Sequence, residues 1–409
     1  MTDVPNDRVM FYIGLVAALF WGFGTNLLDR RWYFVHGVSV GDIVFIGWTA
    51  WALTRRDVAS DLLRSARVLA VPLGFMAVFA VWLLASVMVN VFRFGAQWSD
   101  VFAILRLFYF SAVMVFCVAF VTRFGLRPLL LAFVIGVALL TLGRLADAVT
   151  SDAPMVTGLP LLKDPNVIGN MLGIAVLMSS MLIFVGSARW AVTLSIFFAA
   201  ASALTFSKGA WFMVMFGIGA NVLALMMRGR YTMSGLKRTP VMAAACALAI
   251  VVLLGYNAER FAEMIALKVE TTTVDNSMGL RFRYALGGAY AMIDNPVFGL
   301  GFRNYYVVER MYPELLLPAS DNAHNVFSQI AAVGGLPALL AFMLLFSYPF
   351  IQLWSLVRLR SATVVGASYV ACAVLVFFLS GAVQLQIVAQ PFFWVFTGLV
   401  KGWRSRSSS

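Results

Sequence analysis

Residues 69–92 have the sequence LAVPLGFMAVFAVWLLASVMVNVF, an apolar run without Asp, Glu, Lys or Arg. About twenty apolar residues in a helix can cross the hydrocarbon core of a bilayer, which is roughly 30 Å thick. Similar runs recur along the 409-residue chain, which is 62% hydrophobic and has a mean hydropathy of +0.90. Soluble proteins contain only about 45–50% apolar residues. The sequence therefore predicts an all-α, polytopic membrane protein.

The apolar runs predict twelve transmembrane helices, an even number that puts both termini on one side. The first run begins near Val9 and has no small-residue cleavage site after it, so we expect a retained span rather than a signal peptide. The predicted organisation is nine spans in residues 1–255, one large loop in 256–327, and three spans with a tail in 328–409. The spans are predicted at 9–28, 37–53, 69–92, 101–122, 127–149, 165–186, 189–206, 209–227, 239–255, 328–357, 362–380 and 384–401.

The thirty basic residues determine the predicted orientation, because loops on the cytoplasmic side carry an excess of Lys and Arg. With cytoplasmic termini, every short inner loop is basic, including the loop at 54–68, and the large loop is periplasmic. The remaining cations are on the outer side or near the outer end of a span, where an excess is unusual. They are Arg30, Arg31, Arg93, Arg106, Arg144, Lys163, Lys208, Arg260, Lys268, Arg281, Arg283, Arg303 and Arg310. This excess predicts that an anionic ligand binds on the outer side.

The large loop contains a predicted amphipathic helix over residues 281–293, where apolar residues follow helical spacing. Asn295-Pro296 would end this helix, and Gly299-Leu300-Gly301 indicates a tight turn. Arg281 and Arg283 stand at its start, where a cation is unfavourable with respect to the helix dipole unless an anion binds there. A solvated basic face is the alternative for this pair. Arg303 follows the glycine turn and is a weaker candidate.

Two further segments on the outer side carry candidate residues. Lys208 interrupts two apolar runs in Ser207-Lys208-Gly209 and faces either an outer cavity or lipid headgroup phosphates. Lys163 and Asn166 belong to Lys-Asp-Pro-Asn before the sixth predicted span, a sequence that also suits a simple helix start.

His324 lies between Asp321 and Asn325 where the large loop meets the tenth predicted span. An imidazole has an ordinary pKa near 6.5, which suits proton transfer near neutral pH. A polar anchor at the membrane interface is the alternative. The other histidine, His36, has no comparable neighbours and is predicted to be structural.

No metal or cofactor site is predicted. The three cysteines lie inside apolar runs, and the carboxylates of the large loop are scattered without metal-ligand spacing. The net charge of +12 fits cytoplasmic anchoring of a membrane protein, so nucleic acid is not an expected partner.

Together these segments resemble the bacterial O-antigen ligase and O-antigen polymerase superfamily. The resemblance rests on the Lys163–Asn166 segment, the Lys208 hairpin, Arg281 before the loop helix, Asn295-Pro296-Val297-Phe298-Gly299-Leu300-Gly301 after it, and His324-Asn325 followed by Gly334-Gly335. It covers residues 160–340 well and the first spans only by topology. Lys208 departs from the arginine that is usual in the family at this hairpin, and lysine lacks the bidentate fork.

The resemblance implies a metal-independent, inverting glycosyltransferase with a GT-C-like membrane fold and no cofactor, in the bacterial inner membrane. Its donor would be a glycan on undecaprenyl diphosphate, used at the periplasmic face. It implies a catalytic role for His324 and diphosphate binding by Lys208 and Arg281. We expect an O-antigen ligase acting on lipid A core, and a polymerase of O-antigen or exopolysaccharide repeat units is the alternative. A transporter of an anionic lipid or solute is a further alternative, although no internal repeat supports it.

Overall fold

A computed structural model describes the part of the chain that carries most of the first five predicted spans, most of the seventh, and most of residues 277–358. The described residues are 5–23, 40–94, 98–150, 172–176, 178–179, 182, 188–204, 214, 277–302, 304–318, 323 and 325–358. Across these ranges all regular structure is helical. The prediction of an all-α protein is confirmed for them.

The described residues form ten α-helices. They are α1 (Pro5–Phe23), α2 (Val40–Leu53), α3 (Arg56–Val68), α4 (Ala70–Phe94), α5 (Trp98–Phe124), α6 (Leu126–Thr150), α7 (Ala188–Leu204), α8 (Ser277–Asp294), α9 (Val308–Met311) and α10 (Val326–Arg358). Short 3-10 helices at Asn304–Val307 and Pro313–Leu315 flank α9.

Three stretches are long and apolar enough to cross a membrane, by length and composition: Ala70–Phe94, Leu107–Phe124 and Val326–Tyr348. Shorter apolar helices occur at Arg8–Leu19, Val44–Leu53, Leu126–Leu142 and Thr193–Ser202. The predicted spans at 165–186, 209–227, 239–255, 362–380 and 384–401 lie wholly or mostly outside the described residues. The count of twelve spans and their orientation therefore remain predictions.

Helix α3 (Arg56–Val68) occupies most of residues 54–68, where the sequence predicts an inner loop. Residues four apart fall on the same side of a helix, and this side of α3 packs on the protein, since Val58 is buried and Leu62 half-buried. Arg123 of α5 donates a hydrogen bond to Asp61 of α3 at 2.5 Å in a partly exposed ion pair. The segment is thus an amphipathic helix that joins two apolar helices and is anchored to α5.

The helices pack in two neighbouring groups. In the first, α1 lies against α6, and α2 contacts α5 through the rings of Phe45, Trp48 and Phe116. The second group consists of α4, α8 and α10, in which α10 lies between the other two and contacts both. This second group holds the candidate site.

Helix α10 is broken at Gly335, whose backbone has φ 71° and ψ −172°. Only glycine adopts this conformation readily, because a Cβ would clash with the backbone. The break separates a first segment of about two turns, which begins at Val326, from the long remainder of the helix. Gly334-Gly335 was part of the motif in the sequence, but the break itself is visible only in the structure.

Candidate functional site

Helix α8 confirms the predicted amphipathic helix and extends it to Ser277–Asp294. The predicted stop at Asn295-Pro296 is also confirmed, and the turn after it uses Gly299 at φ 61° and Gly301 at φ 89°. Tyr284 and Ala291 are buried, whereas Phe282 and Ile293 are exposed. The helix therefore has one face packed on the protein and one face free of it.

The packed face of α8 meets the first turn of α10 at very short range. The Ser328 hydroxyl donates a hydrogen bond to the carbonyl of Ala285 at 2.6 Å. A Cβ on Gly288 would stand 2.8 Å from the Ser328 carbonyl oxygen, so glycine is needed for this close approach. Further along both segments, the Leu336 N–H donates to the Pro296 carbonyl at 2.8 Å. The first part of α10 therefore runs in the same direction as α8.

The loop at residues 295–301 fills the break in α10. The N–H of Leu300 donates to the Ala332 carbonyl at 2.8 Å, and the N–H of Gly301 donates to the Val333 carbonyl at 3.0 Å. These carbonyls lie in the last turn before Gly335, where a broken helix leaves acceptors without intrahelical partners. The N–H groups of the loop thus supply hydrogen-bond donors for the helix carbonyls that the break leaves without intrahelical partners.

Three polar side chains of α4 complete this arrangement at successive turns. The Trp82 indole N–H lies 3.1 Å from the Val297 carbonyl and 3.0 Å from the Gly334 carbonyl. The Ser86 hydroxyl is 2.7 Å from the Val333 carbonyl and also faces that of Phe298. The Asn90 amide donates to the Gly299 carbonyl at 3.2 Å. We call Trp82, Ser86 and Asn90 the α4 ladder.

The α4 ladder explains how an irregular loop is accommodated at membrane depth. Trp82 stands at the middle of Ala70–Phe94, a candidate span, so the chain at Val297 reaches the level of the span centre. Irregular backbone at such depth is tolerated where it is buried in protein and its polar groups have partners. The sequence predicts a loop outside the spans here, whereas in the structure residues 295–301 pack between α4 and α10, which both contain candidate spans.

Sequence analysis missed the α4 ladder, although a pattern was present. Trp82, Ser86 and Asn90 are four residues apart in an otherwise apolar run, and polar groups in a span usually face protein or a cavity. Arg93 lies one turn further and donates to the Asn295 side chain at 3.0 Å. What no pattern could supply was the partner, which is about two hundred residues away in the sequence.

A second set of bonds fixes the segment before α10. The Asn325 side chain accepts hydrogen bonds from the N–H groups of Phe327 and Ser328 at 3.0 and 3.1 Å. Asn325 therefore caps the helix N-terminus, since a side-chain oxygen there satisfies donors that lack intrahelical partners. The buried Gln329 side chain accepts a hydrogen bond from the Ala323 N–H at 2.6 Å. Both residues that flank position 324 are thus held by side chains of this helix start.

Arg281 and Arg283 have different surroundings, as a spacing of two residues on a helix requires. The Arg283 guanidinium donates to the carbonyls of Leu315 and Leu316 at 3.3 and 3.4 Å, where Leu316 has a left-handed backbone at φ 48°. The Arg281 side chain is exposed and makes no hydrogen bond or ion pair with any other described residue. Of the two, Arg281 has its guanidinium available for a ligand.

Arg281 lies at the end of α8 that is close to the start of α10. It precedes Ala285 by one turn, about 6 Å along the axis, and Ala285 contacts the first turn of α10. Because the two segments run in the same direction, Arg281 is level with the chain that enters α10. The fold therefore brings one predicted diphosphate-binding cation to the same end of the helix group as Asn325.

The residues after the loop are fastened to α8 by tyrosines. The Tyr284 hydroxyl donates to the Pro318 carbonyl at 2.8 Å, and the Tyr312 hydroxyl donates to the Asp294 carboxylate at 2.6 Å. Burial raises the pKa of the Tyr312 phenol, and the hydrogen bond to Asp294 raises it further. The phenol therefore remains protonated and continues to donate well above neutral pH.

The other predicted site residues, Lys163, Asn166, Lys208, Arg303, Asp321 and His324, lie outside the described residues. Their roles remain predictions. Among the residues that are described, no group of three or more His, Cys, Asp or Glu side chains could hold a metal ion.

The apolar helices and their packing define a multi-pass, α-helical membrane protein. Residues 193–343 match the family model described as O-antigen ligase. The match confirms the predicted resemblance and includes α8, the loop at 295–301 and the first half of α10. The apolar helices and the family together indicate an inner-membrane protein. No curated protein matches the chain at a significant level.

Proposed function

We propose that this protein is a glycosyltransferase of the periplasmic face that transfers a glycan from undecaprenyl diphosphate to an acceptor hydroxyl. The principal support is that the O-antigen ligase match spans the elements that carry Arg281 and the entry to α10. The family match supports a lipid-linked glycan and an acceptor as the general substrates. The specific acceptor we propose is the lipid A core, which makes the protein an O-antigen ligase.

The proposed reaction is a single displacement at the anomeric carbon. The bond between this carbon and the phosphate oxygen breaks, a bond to the acceptor oxygen forms, and undecaprenyl diphosphate leaves. His324 accepts the proton of the acceptor hydroxyl, since an imidazole can act as a general base near neutral pH. One displacement inverts the anomeric configuration.

Cations supply the electrostatic part of this mechanism. Negative charge develops on the departing diphosphate, and fixed positive charges at that point stabilise the transition state without a metal ion. We assign this role to Lys208 and Arg281, with Arg303 as a further candidate. Arg283 already bonds two carbonyls of the chain, so its contribution is to shape the segment beside Arg281.

The test is glycan transfer by the purified protein in proteoliposomes with a lipid-linked oligosaccharide donor and lipid A core acceptor. His324→Ala is expected to abolish transfer at normal expression, and Lys208→Ala and Arg281→Ala to weaken donor binding. Arg310→Ala serves as the control, because Arg310 is an exposed arginine on α9. Retained transfer by His324→Ala would show that this residue is not catalytic. Unchanged donor affinity in a variant that combines Lys208→Ala with Arg281→Ala would exclude the diphosphate-binding role of these two residues.

Conservative variants and a chelator refine the test. Lys208→Arg should be tolerated, whereas Arg281→Lys should lose more activity because lysine cannot form the bidentate contact. EDTA should leave transfer unchanged, and a strict requirement for added magnesium would contradict the metal-free mechanism.

A deletion strain separates the ligase from the polymerase, which shares the chemistry and differs in the acceptor. Loss of the ligase leaves long lipid-linked glycans that never reach lipid A core. Loss of a polymerase leaves single repeat units on the core, and this outcome would reassign the acceptor without changing the mechanism.

A further inference from the structure

Gln329 is a buried polar residue in the first turns of α10, with only 2% of its surface exposed. Its side-chain oxygen accepts the N–H of Ala323 at 2.6 Å, which ties the chain before α10 back to the helix. Ala323 itself is fully buried, so its N–H has no access to solvent. The hydrogen bond thus holds a backbone group adjacent to His324.

We propose that Gln329 is a positioning residue for glycan transfer and that it acts through His324. The proposal rests on the proposed function, in which His324 accepts the proton of the acceptor hydroxyl. Gln329 holds the backbone on one side of His324, and the Asn325 cap holds it on the other. Together they fix the backbone at residues 323 and 325, on both sides of position 324.

The helix segment that carries Gln329 is itself held by hydrogen bonds to neighbouring elements. Ser328, the preceding residue, is bonded to Ala285 of α8, and Ala332 and Val333 one turn later are bonded to the loop at 295–301. A side chain on such a framework can define the position of a neighbouring peptide precisely. The N–H of Ala323 would otherwise have to find another acceptor, and the peptide would turn to reach it.

A displaced imidazole should reduce the rate of the chemical step rather than donor binding. Proton transfer requires heavy atoms within about 2.6–3.2 Å, and a misplacement of about 1 Å can cost on the order of 100-fold in rate. The donor is held elsewhere in the proposal, by Lys208 and Arg281. The turnover number and the Michaelis constant for the donor should therefore respond differently.

The experiment compares three variants of the full-length protein in proteoliposomes, with a synthetic undecaprenyl-diphosphate-linked oligosaccharide and lipid A core. Gln329→Met keeps the side-chain length but has no acceptor oxygen, and Gln329→Glu keeps an acceptor. Thr141→Val is the control, because Thr141 is also buried and donates to a backbone carbonyl, Val137, in remote α6. Gln329→Asn, which is one methylene shorter, replaces Gln329→Met if the latter elutes as aggregate.

We expect Gln329→Met to lower kcat by on the order of 100-fold, with the KM for the donor nearly unchanged. Gln329→Glu should recover most of kcat, and Thr141→Val should equal the wild type. A loss confined to KM, or an equal loss in Gln329→Met and Gln329→Glu, would overturn the positioning role.

This inference and the proposed function can fail separately. Gln329→Met is therefore also compared with His324→Ala, which alone should be inactive. Wild-type kcat in Gln329→Met while His324→Ala is inactive would refute the positioning role alone. Full transfer by His324→Ala would refute the catalytic assignment and the positioning role together.

Discussion

Gly335 offers the sharpest test of the structure, because the break in α10 depends on a residue without a side chain. Its backbone, at φ 71° and ψ −172°, lies in a region that is essentially restricted to glycine. An added Cβ would stand 2.4 Å from the Val297 carbonyl oxygen and 2.7 Å from that of Pro296. Both neighbours are backbone atoms of the loop at 295–301, so no side-chain rotation relieves the overlap.

Gly335→Ala should therefore be strongly destabilising. The backbone conformation alone costs about 1–3 kcal/mol for a residue with a Cβ. Relief of the clash would displace Pro296 and break its hydrogen bond with Leu336, a loss of about 0.5–1.5 kcal/mol. The expected loss in the free energy of unfolding is about 2 kcal/mol or more.

Gly74→Ala is the matched control, since a Cβ on Gly74 of α4 would meet no atom within 4 Å. Alanine is favoured over glycine inside a helix by roughly 0.5–1 kcal/mol, so this variant should equal or exceed the wild type. The assay is unfolding of the purified protein by SDS in mixed micelles, followed by tryptophan fluorescence. Equal midpoints for Gly335→Ala and Gly74→Ala would refute the packing of the loop into the break.

Three further predictions test individual hydrogen bonds and an ion pair of the fold. Trp82→Phe leaves two carbonyls without their donor and should cost about 1–2 kcal/mol, whereas Trp48→Phe, which removes an indole N–H with no acceptor among the described residues, should cost less in the same SDS titration. The raised pKa of Tyr312 means that its protonated phenol stabilises the fold fully below the ordinary tyrosine pKa of about 10, and that this contribution is lost as pH rises beyond it. Between pH 8 and 11 the unfolding midpoint of Tyr312→Phe should therefore fall less steeply than that of the wild type. Asp61→Asn should cost no more than about 1 kcal/mol, since the ion pair with Arg123 is partly exposed, and a double-mutant cycle that gave several times this value would contradict a surface role.

Local patterns predicted much of the site's secondary structure correctly. The spacing of apolar residues from Arg281 onward predicted α8, Asn295-Pro296 predicted its end, and the glycines at 299 and 301 predicted the turn. These features depend on residues close in sequence, so periodicity and turn propensity suffice to identify them. Helix α3 was missed because a basic, polar segment between two apolar runs was taken for a loop although its residues also follow helical spacing.

The partners of the candidate site residues could not be predicted from the sequence. Arg281 and Arg283 both appeared as anion-binding candidates, but the structure shows that Arg283 bonds to the chain at Leu315 and Leu316 while Arg281 remains exposed. Basic residues at one helix end are equivalent in sequence, and only the packing around them assigns different partners. Asn325 was a candidate for chemistry and is seen to cap α10.

The sequence by itself determined that this chain is an α-helical membrane protein whose residues 193–343 match the O-antigen ligase family model, because hydropathy follows from composition and the motifs are local. Only the tertiary structure decided that α10 is broken at Gly335 and that the loop at 295–301 packs into the break. It also decided that the α4 ladder donates hydrogen bonds to the carbonyls of this loop and of the broken helix end. Trp82 and Val297 are separated by 215 residues. Hydropathy records that a segment avoids water, but it does not distinguish contact with lipid from contact with another helix, and so it cannot specify which polar groups meet inside the membrane.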